Sequence, residues 1–484
     1  MQGRAQGRAY GLVRSRPAQA GRSRLRPYGR WPFGGMIASC RMAAHSASDW
    51  RERYAHKLTT PEEAVGLVRD GDRVVIGMHY QTPLALCRAL AARAGELHGV
   101  EIENSIATFI SWWEEDAPND FTVRSFFLQA SDRPAFRKGL LEYVIAPPTR
   151  QDASYWLDRK PDVFLTSVSP PDADGWCSFG MSVWGAPEVA REATHVVGEV
   201  NPRLIRTGGD NRIHVDQIEL LVEAPKQWKF LRRPPNTHEE AEIAAVICSL
   251  VGTEIIQDGD TLQFGTGTVS AAMSSFIGHR HELGVHSELV FGGIPALVAG
   301  GVITGSRKTV HPGKVVGASF GPLTADEFAM VDGDPRYELY CMSHTNDIQV
   351  IAAHDNMCVV NNALLVDLTG QINGETIGPE IYSGTGGAFA FAVGALHAKN
   401  GRSVTVLPST SMVHGERRSR IVAMFPQGSA VTVPRAYADI IVTEYGIARI
   451  KGGTLRRRID ELCGIAHPDF RAELRAEARR LYGV

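Results

Sequence analysis

Residues 283–290 read Leu-Gly-Val-His-Ser-Glu-Leu-Val, an apolar run that predicts a strand but carries a carboxylate, Glu288, near its end. Burying a carboxylate is costly unless it is paired or put to use. Upstream, Gly265-Thr266-Gly267-Thr268-Val269 reads as a tight turn between a strand and a helix. Glycines in such a turn let a ligand approach the backbone, and unpaired N–H groups there suit an anion or a developing oxyanion. A second turn of this kind, Ser383-Gly384-Thr385-Gly386-Gly387, runs into the apolar helical stretch 388–395.

The first turn alone also fits a dinucleotide fold. Residues 265–271 resemble a GxGxxxA fingerprint, and Glu288 lies 288 − 265 = 23 residues on, where a ribose-binding acid would fall. Neighbouring polar residues have plainer readings. His286 shares a strand face with Glu288, and a hydrogen-bonded structural role is expected for it. Ser287 lacks a G-x-S-x-G elbow and is not expected to be a nucleophile. The segment 344–356 holds two histidines, but their spacing matches no common metal site, so no metal is expected. None of the seven cysteines forms a C-x-x-C pair, which predicts buried thiols in a reducing compartment.

Elements that could position these groups can be read around them. The chain of 484 residues is too long for one ordinary core. Thr60-Pro61-Glu62-Glu63 predicts a capped helix start. The windows 67–77 and 255–265 both read apolar, apolar, polar, Asp-Gly-Asp, polar, strand and Gly, and are offset by 255 − 67 = 188 residues. This predicts two related α/β halves. Strand-like runs at 162–170, 193–200, 357–368 and 403–409 alternate with helical patterns, as in parallel sheets covered by helices. The Pro- and charge-rich stretch 229–242 marks the boundary, giving domains at 49–232 and 233–484. A net charge of −2 speaks against nucleic acid or a membrane surface as partner, and no apolar run is long enough to cross a bilayer.

The first 48 residues hold nine arginines and no lysine or acid. They read either as a transit peptide, implying a mitochondrial matrix protein, or as sequence upstream of a true start at Met36 or Met42, implying a bacterial cytoplasmic one. Neither reading makes them part of the fold, and they are expected to be disordered.

Longer motifs shift the weight. Residues 169–180 (SPPDADGWCSFG), 199–218 (EVNPRLIRTGGDNRIHVDQI), 361–378 (NNALLVDLTGQINGETIG), 383–387 (SGTGG), 430–448 (AVTVPRAYADIIVTEYGIA) and 465–471 (IAHPDFR) resemble, in order, the acetyl-CoA hydrolase/transferase family. The resemblance covers roughly residues 58–480. It implies two open α/β domains of the NagB/RpiA/CoA-transferase type, with the site between them and the Glu288 strand and both glycine turns in the second. It implies Glu288 as the catalytic nucleophile, carrying CoA as a glutamyl thioester in ping-pong exchange. It also implies CoA contacts at Gly265, Thr266, Gly267, Thr268, Val269, Asn361, Gly386 and Gly387.

The implied partners are an acyl-CoA and a small carboxylic acid such as butyrate, 4-hydroxybutyrate, itaconate or succinate, with CoA as substrate and no permanently bound cofactor. A homodimer is also implied. An acyl-CoA hydrolase using the same nucleophile and a CoA-binding pseudoenzyme remain as alternatives. One departure stands out: the family's usual Gly-Gly-Gln-x-Asp-Phe is here Gly386-Gly387-Ala388-Phe389-Ala390-Phe391. The alanines suggest an apolar acyl pocket of altered shape.

Overall fold

Thr60 accepts from the backbone N–H of Glu63, and the Glu63 carboxylate reaches back to Thr60, so a full capping box starts the helix Pro61–Ala64. The computed structural model describes residues 49–106, 112, 121–146, 160–225 and 237–484. The leader and most of the stretch chosen as a domain boundary therefore lie outside the described residues.

Two mainly parallel sheets dominate. The first has seven strands, ordered Leu220–Glu223, His195–Val200, Val163–Val168, Arg73–Ile76, Val100–Glu103, Phe121–Ser125 and Leu141–Tyr143, all parallel. The second has nine, ordered Gly446–Arg449, Ile440–Thr443, Arg402–Val406, Met357–Asn362, Thr261–Phe264, Gly284–Val290, Val315–Phe320, Tyr337–Leu339 and Gly208–Gly209. Only the Gly446–Arg449 strand runs antiparallel to its neighbour. The central strands are near-continuous apolar runs, as strands buried on both faces must be.

The two repeated Asp-Gly-Asp windows lead into interior strands, one in each sheet, and their turns match bond for bond. Gly71 and Gly259 are left-handed, with φ of 73° and 80°. Asp72 accepts from the N–H of Arg69, and Asp260 from that of Gln257, at 2.8 and 2.7 Å. The carbonyls of Asp72 and Asp260 then accept from Glu101 and Gly284, the second and first residues of the next strand in their respective sheets. The sequence repeat is thus a structural one.

The first sheet's loops reach into the core of the second. Met78, Tyr80, Phe126, Met181, Val183 and Trp184 pack in one buried cluster with Phe264, Val285, Leu289 and Phe320. The backbone of Met181 and Val183 bonds to Phe320 and Ala318. The strand pair Gly208–Gly209 leaves the first half altogether and adds to the edge of the second sheet beside Tyr337–Leu339.

Among the described residues no helix is long and apolar enough to cross a membrane. Six free cysteines, all buried, lie within them. Arg458 is a small exception to expectation. It belongs to the basic run 456–458 at a helix start, yet donates to the carbonyls of Thr369 and Arg435 at 3.0 and 2.7 Å.

Candidate active site

The second sheet places its chemistry at the carboxyl ends of three adjacent strands, where open α/β sheets bind ligands. Thr261–Phe264 lies between Met357–Asn362 and Gly284–Val290. Glu288 stands near the end of the last of these. The Gly265 turn follows the first, and Asn361 and Asn362 end the second.

Glu288 is partly accessible but closely surrounded. Its Oε2 accepts from Asn346 Nδ2 at 2.6 Å. The backbone N–H of Gly387 is a second polar neighbour of the carboxylate. Burial raises the carboxyl above the usual glutamate range, while the bond from Asn346 and the nearby Gly387 N–H oppose that rise. The site therefore holds a desolvated carboxylate that is more basic than one in water, steadied by the Asn346 donor.

Asn346 is fully buried. Thr345 Oγ1 donates to its Oδ1 at 3.1 Å, so the amide NH₂ is turned towards Glu288. Replacing Asn346 by Ala removes a charge-assisted bond worth about 1.5–3 kcal/mol. Turnover should fall about tenfold to a hundredfold. The carboxylate must be ionised to attack, and the lost donor favoured the ionised form. The acid limb of the pH–rate profile should accordingly move to higher pH; an unmoved limb would separate Asn346 from Glu288.

The two glycine turns are built differently. A Cβ on Gly265 would run into Asn361 and one on Gly267 into Asn362, so both positions are held to glycine by the asparagines beneath. Gly267 also has a φ of 151°. Asn361 Oδ1 accepts from Gln263 Nε2 at 3.0 Å, and Asn362 Nδ2 donates to Thr266 O and Ser270 Oγ at 3.0 and 2.6 Å. Asn361 Nδ2 is buried without a partner. Thr266 and Thr268 are exposed on the rim, whereas the Val269 side chain lies in the core. The Val269 side chain is therefore not available to a ligand, and its carbonyl accepts from Cys248 Sγ at 3.2 Å.

In the second turn Gly386 is left-handed, with φ 52°, and faces the Phe127 ring of the first half. Gly387 has an ordinary helical φ of −74° and begins the helix Ala388–His397. A Cβ on Gly387 would sit 2.6 Å from Glu288 Oε2 and 3.1 Å from Phe391.

Comparison with known proteins identifies the chain's relatives. The N-terminal domain model of the acetyl-CoA hydrolase/transferase family matches residues 42–230, and its C-terminal domain model matches residues 324–478. The 4-hydroxybutyrate coenzyme A transferase of Clostridium kluyveri is 36% identical over 437 residues, 90% of this chain and 100% of the relative. The chain belongs to the acetyl-CoA hydrolase/transferase family. The butyryl-CoA:acetate CoA-transferase of Anaerostipes caccae is 32% identical, covering 89% of this chain and 98% of that one. Among solved structures, RipA from Yersinia pestis superposes with a TM-score of 0.81 at 29% identity, over 90% of this chain and 100% of that one. With these relatives named as CoA-transferases, the chain is an enzyme of the CoA-transferase class. Glu288 itself lies between the two matched stretches.

For this family member, the structure brings Glu288, Gly387, the Gly265 turn and Asn361 to one edge of one sheet. His286 is buried, with Nε2 2.9 Å from Thr345 O, the hydrogen-bonded role expected of it. Ser287 is also buried. It accepts from the N–H of Phe264 at 3.3 Å and donates to Leu289 O at 2.8 Å, which ties the Glu288 strand to the Gly265 turn.

The altered loop needs correction. Ala390 and Phe391 do not line an acyl pocket: both are buried in a cluster with Ile351, Met357 and Val359. Ala388 and Phe389 are half-buried, and the Phe389 ring meets Tyr437 at 6.3 Å. Asn346 was not singled out by sequence. Its segment suggests at most metal ligation by sequence, and among the described residues no three His, Cys, Asp or Glu side chains gather as metal ligands would. The available signal was an amide following a short helix, which gains meaning only once the fold sets it against Glu288.

Proposed function

We propose that this enzyme moves CoA between short-chain carboxylic acids through a glutamyl-CoA thioester on Glu288. The observation that carries the reading is a carboxylate desolvated at the strand ends and held by Asn346 Nδ2, with the Gly387 N–H beside it. Desolvation strengthens a carboxylate nucleophile, and the fixed donors hold its attack direction.

An oxygen of Glu288 adds to the thioester carbonyl of the incoming acyl-CoA. The carbon–sulfur bond breaks, giving an acyl-glutamyl anhydride and CoA thiolate. The thiolate then attacks the glutamyl carbonyl, releasing the first acid as its carboxylate and leaving CoA on Glu288. A second carboxylate attacks that thioester and expels the thiolate, which attacks the new acyl carbonyl. This yields the second acyl-CoA and regenerates Glu288. No net proton moves. When the glutamyl carbonyl is attacked, its oxygen becomes the oxyanion, and Asn346 Nδ2, which already donates to Glu288 Oε2, can stabilise it together with the neighbouring Gly387 N–H. We assign CoA contact to the Gly265–Thr268 turn; the exposure of Thr266 and Thr268 and the unpartnered Asn361 Nδ2 support this.

The relatives' names support acids of the butyrate, 4-hydroxybutyrate and succinate size. Incubation with butyryl-CoA or succinyl-CoA and a panel of acids, followed by mass spectrometry, should show exchange with ping-pong kinetics and little thioester loss when no acceptor acid is present. Equally fast loss without an acceptor would make the enzyme a hydrolase with the same nucleophile. No turnover of any acyl-CoA would point to a CoA-binding pseudoenzyme.

A further inference from the structure

We propose that His286 is a positioning residue for Glu288, acting through the peptide that joins Thr345 to Asn346. The inference rests on the reading of Glu288 as nucleophile and extends it to a residue that never meets substrate. His286 and Glu288 are two residues apart on one strand and so share a face, but His286 is fully buried.

The short helix Met342–Thr345 ends at Asn346, whose φ of −100° and ψ of 5° leave the helix. A helix that stops there leaves its last carbonyls without partners from its own backbone. His286 supplies one for Thr345: Nε2 lies 2.9 Å from Thr345 O. A carbonyl can only accept, so Nε2 carries the hydrogen, while Nδ1 is buried with no partner. The other side of the same peptide is held as well, because Asn346 N–H donates to Met342 O at 2.9 Å. With both its C=O and its N–H bonded, the peptide plane is fixed, and so is the direction in which the Asn346 side chain leaves it. That side chain donates to Glu288 Oε2 at 2.6 Å.

The surroundings keep the imidazole in this neutral form. The His354 ring lies 4.4 Å from it and the His344 ring 6.1 Å. Buried Lys308 holds the carbonyls of Val285 and Lys314 close by, each at 2.8 Å. Burial, with these basic neighbours, pushes His286 well below the usual histidine range. The donor to Thr345 is therefore present throughout the neutral range and needs no proton from solvent.

The test is a double-mutant cycle on the full-length enzyme, read as kcat and KM for acyl-CoA exchange, with circular dichroism and thermal melting alongside. His286→Leu removes the donor. His286→Asn is a second loss variant, since its amide reaches only the position of Nδ1. His286→Gln carries an amide near the position of Nε2. His286→Leu and His286→Asn should each lower kcat roughly fivefold to tenfold with KM for acyl-CoA unchanged, and His286→Gln should recover most of the loss. In an Asn346→Ala background, the His286 substitutions should cost nothing further. Losses that multiply in the double variants, full kcat in His286→Asn, or no recovery in His286→Gln would each overturn the proposal. Glu288→Ala is assayed in parallel. Transfer surviving there would overturn the nucleophile reading itself, whereas a dead Glu288→Ala with a multiplying cycle would remove only the role of His286.

Discussion

Glu288→Ala should abolish CoA exchange, by at least about 10⁴-fold, because among the described residues no strand neighbour can take the acyl or hold CoA in its place. His286 and Ser287, the polar residues beside it on the strand, are buried and bonded to backbone. The protein should nevertheless fold, with a melting temperature equal to or above that of the parent. Burial penalises the charged form of Glu288, so the folded state gives up stability to keep it ionised. The sign follows from linkage: a carboxyl whose folded pKa is raised favours folding at low pH and loses that advantage as pH rises. Glu288→Gln, which keeps the shape, should match the alanine variant in activity. Mass spectrometry after a brief incubation with acyl-CoA should show a CoA adduct on the parent and none on either variant. An adduct on the alanine variant, or near-normal exchange, would end the covalent reading.

The second large effect is expected at Gly387. Its backbone has ordinary helical angles, so alanine strains nothing there. The damage would come from the Cβ alone, placed 2.6 Å from Glu288 Oε2. On its other side lies Phe391, fully buried and unable to yield. The carboxylate must therefore move, losing both its attack direction and its position beside the Gly387 N–H. Loss of one such donor in comparable sites costs about a hundredfold or more in rate. Gly387→Ala should show at least that loss in kcat with little change in melting temperature. Full activity would mean that the turn does not face the reacting carbon.

Much of this site was legible before any coordinates, for a physical reason. A carboxylate in an apolar strand and glycines at strand–helix junctions are local contradictions, and local contradictions mark function. The Asp-Gly-Asp repeat was legible because both copies use the same turn chemistry over a few residues. Asn346 was not, since its role depends on a contact 58 residues away in sequence. The alanine–phenylalanine stretch misled for the opposite reason. Four apolar residues at a turn can face a pocket or a core, and only helix phase separates the two. The phase of Ala388–His397 turns Ala390 and Phe391 inward.

The two-residue strand Gly208–Gly209 has a consequence for how the molecule could be divided. It borders Tyr337–Leu339 on an otherwise open edge, and a Cβ on Gly209 would run into the Leu339 backbone there. An unpaired edge of this kind invites pairing with other chains. The second half made alone, from residue 237 onwards, would lack this cover and should self-associate. Supplying the first half as a separate chain should restore solubility, provided its glycines at 208 and 209 are intact. Gene fission would therefore be tolerated only as an obligate pair, with two glycines serving as the seam.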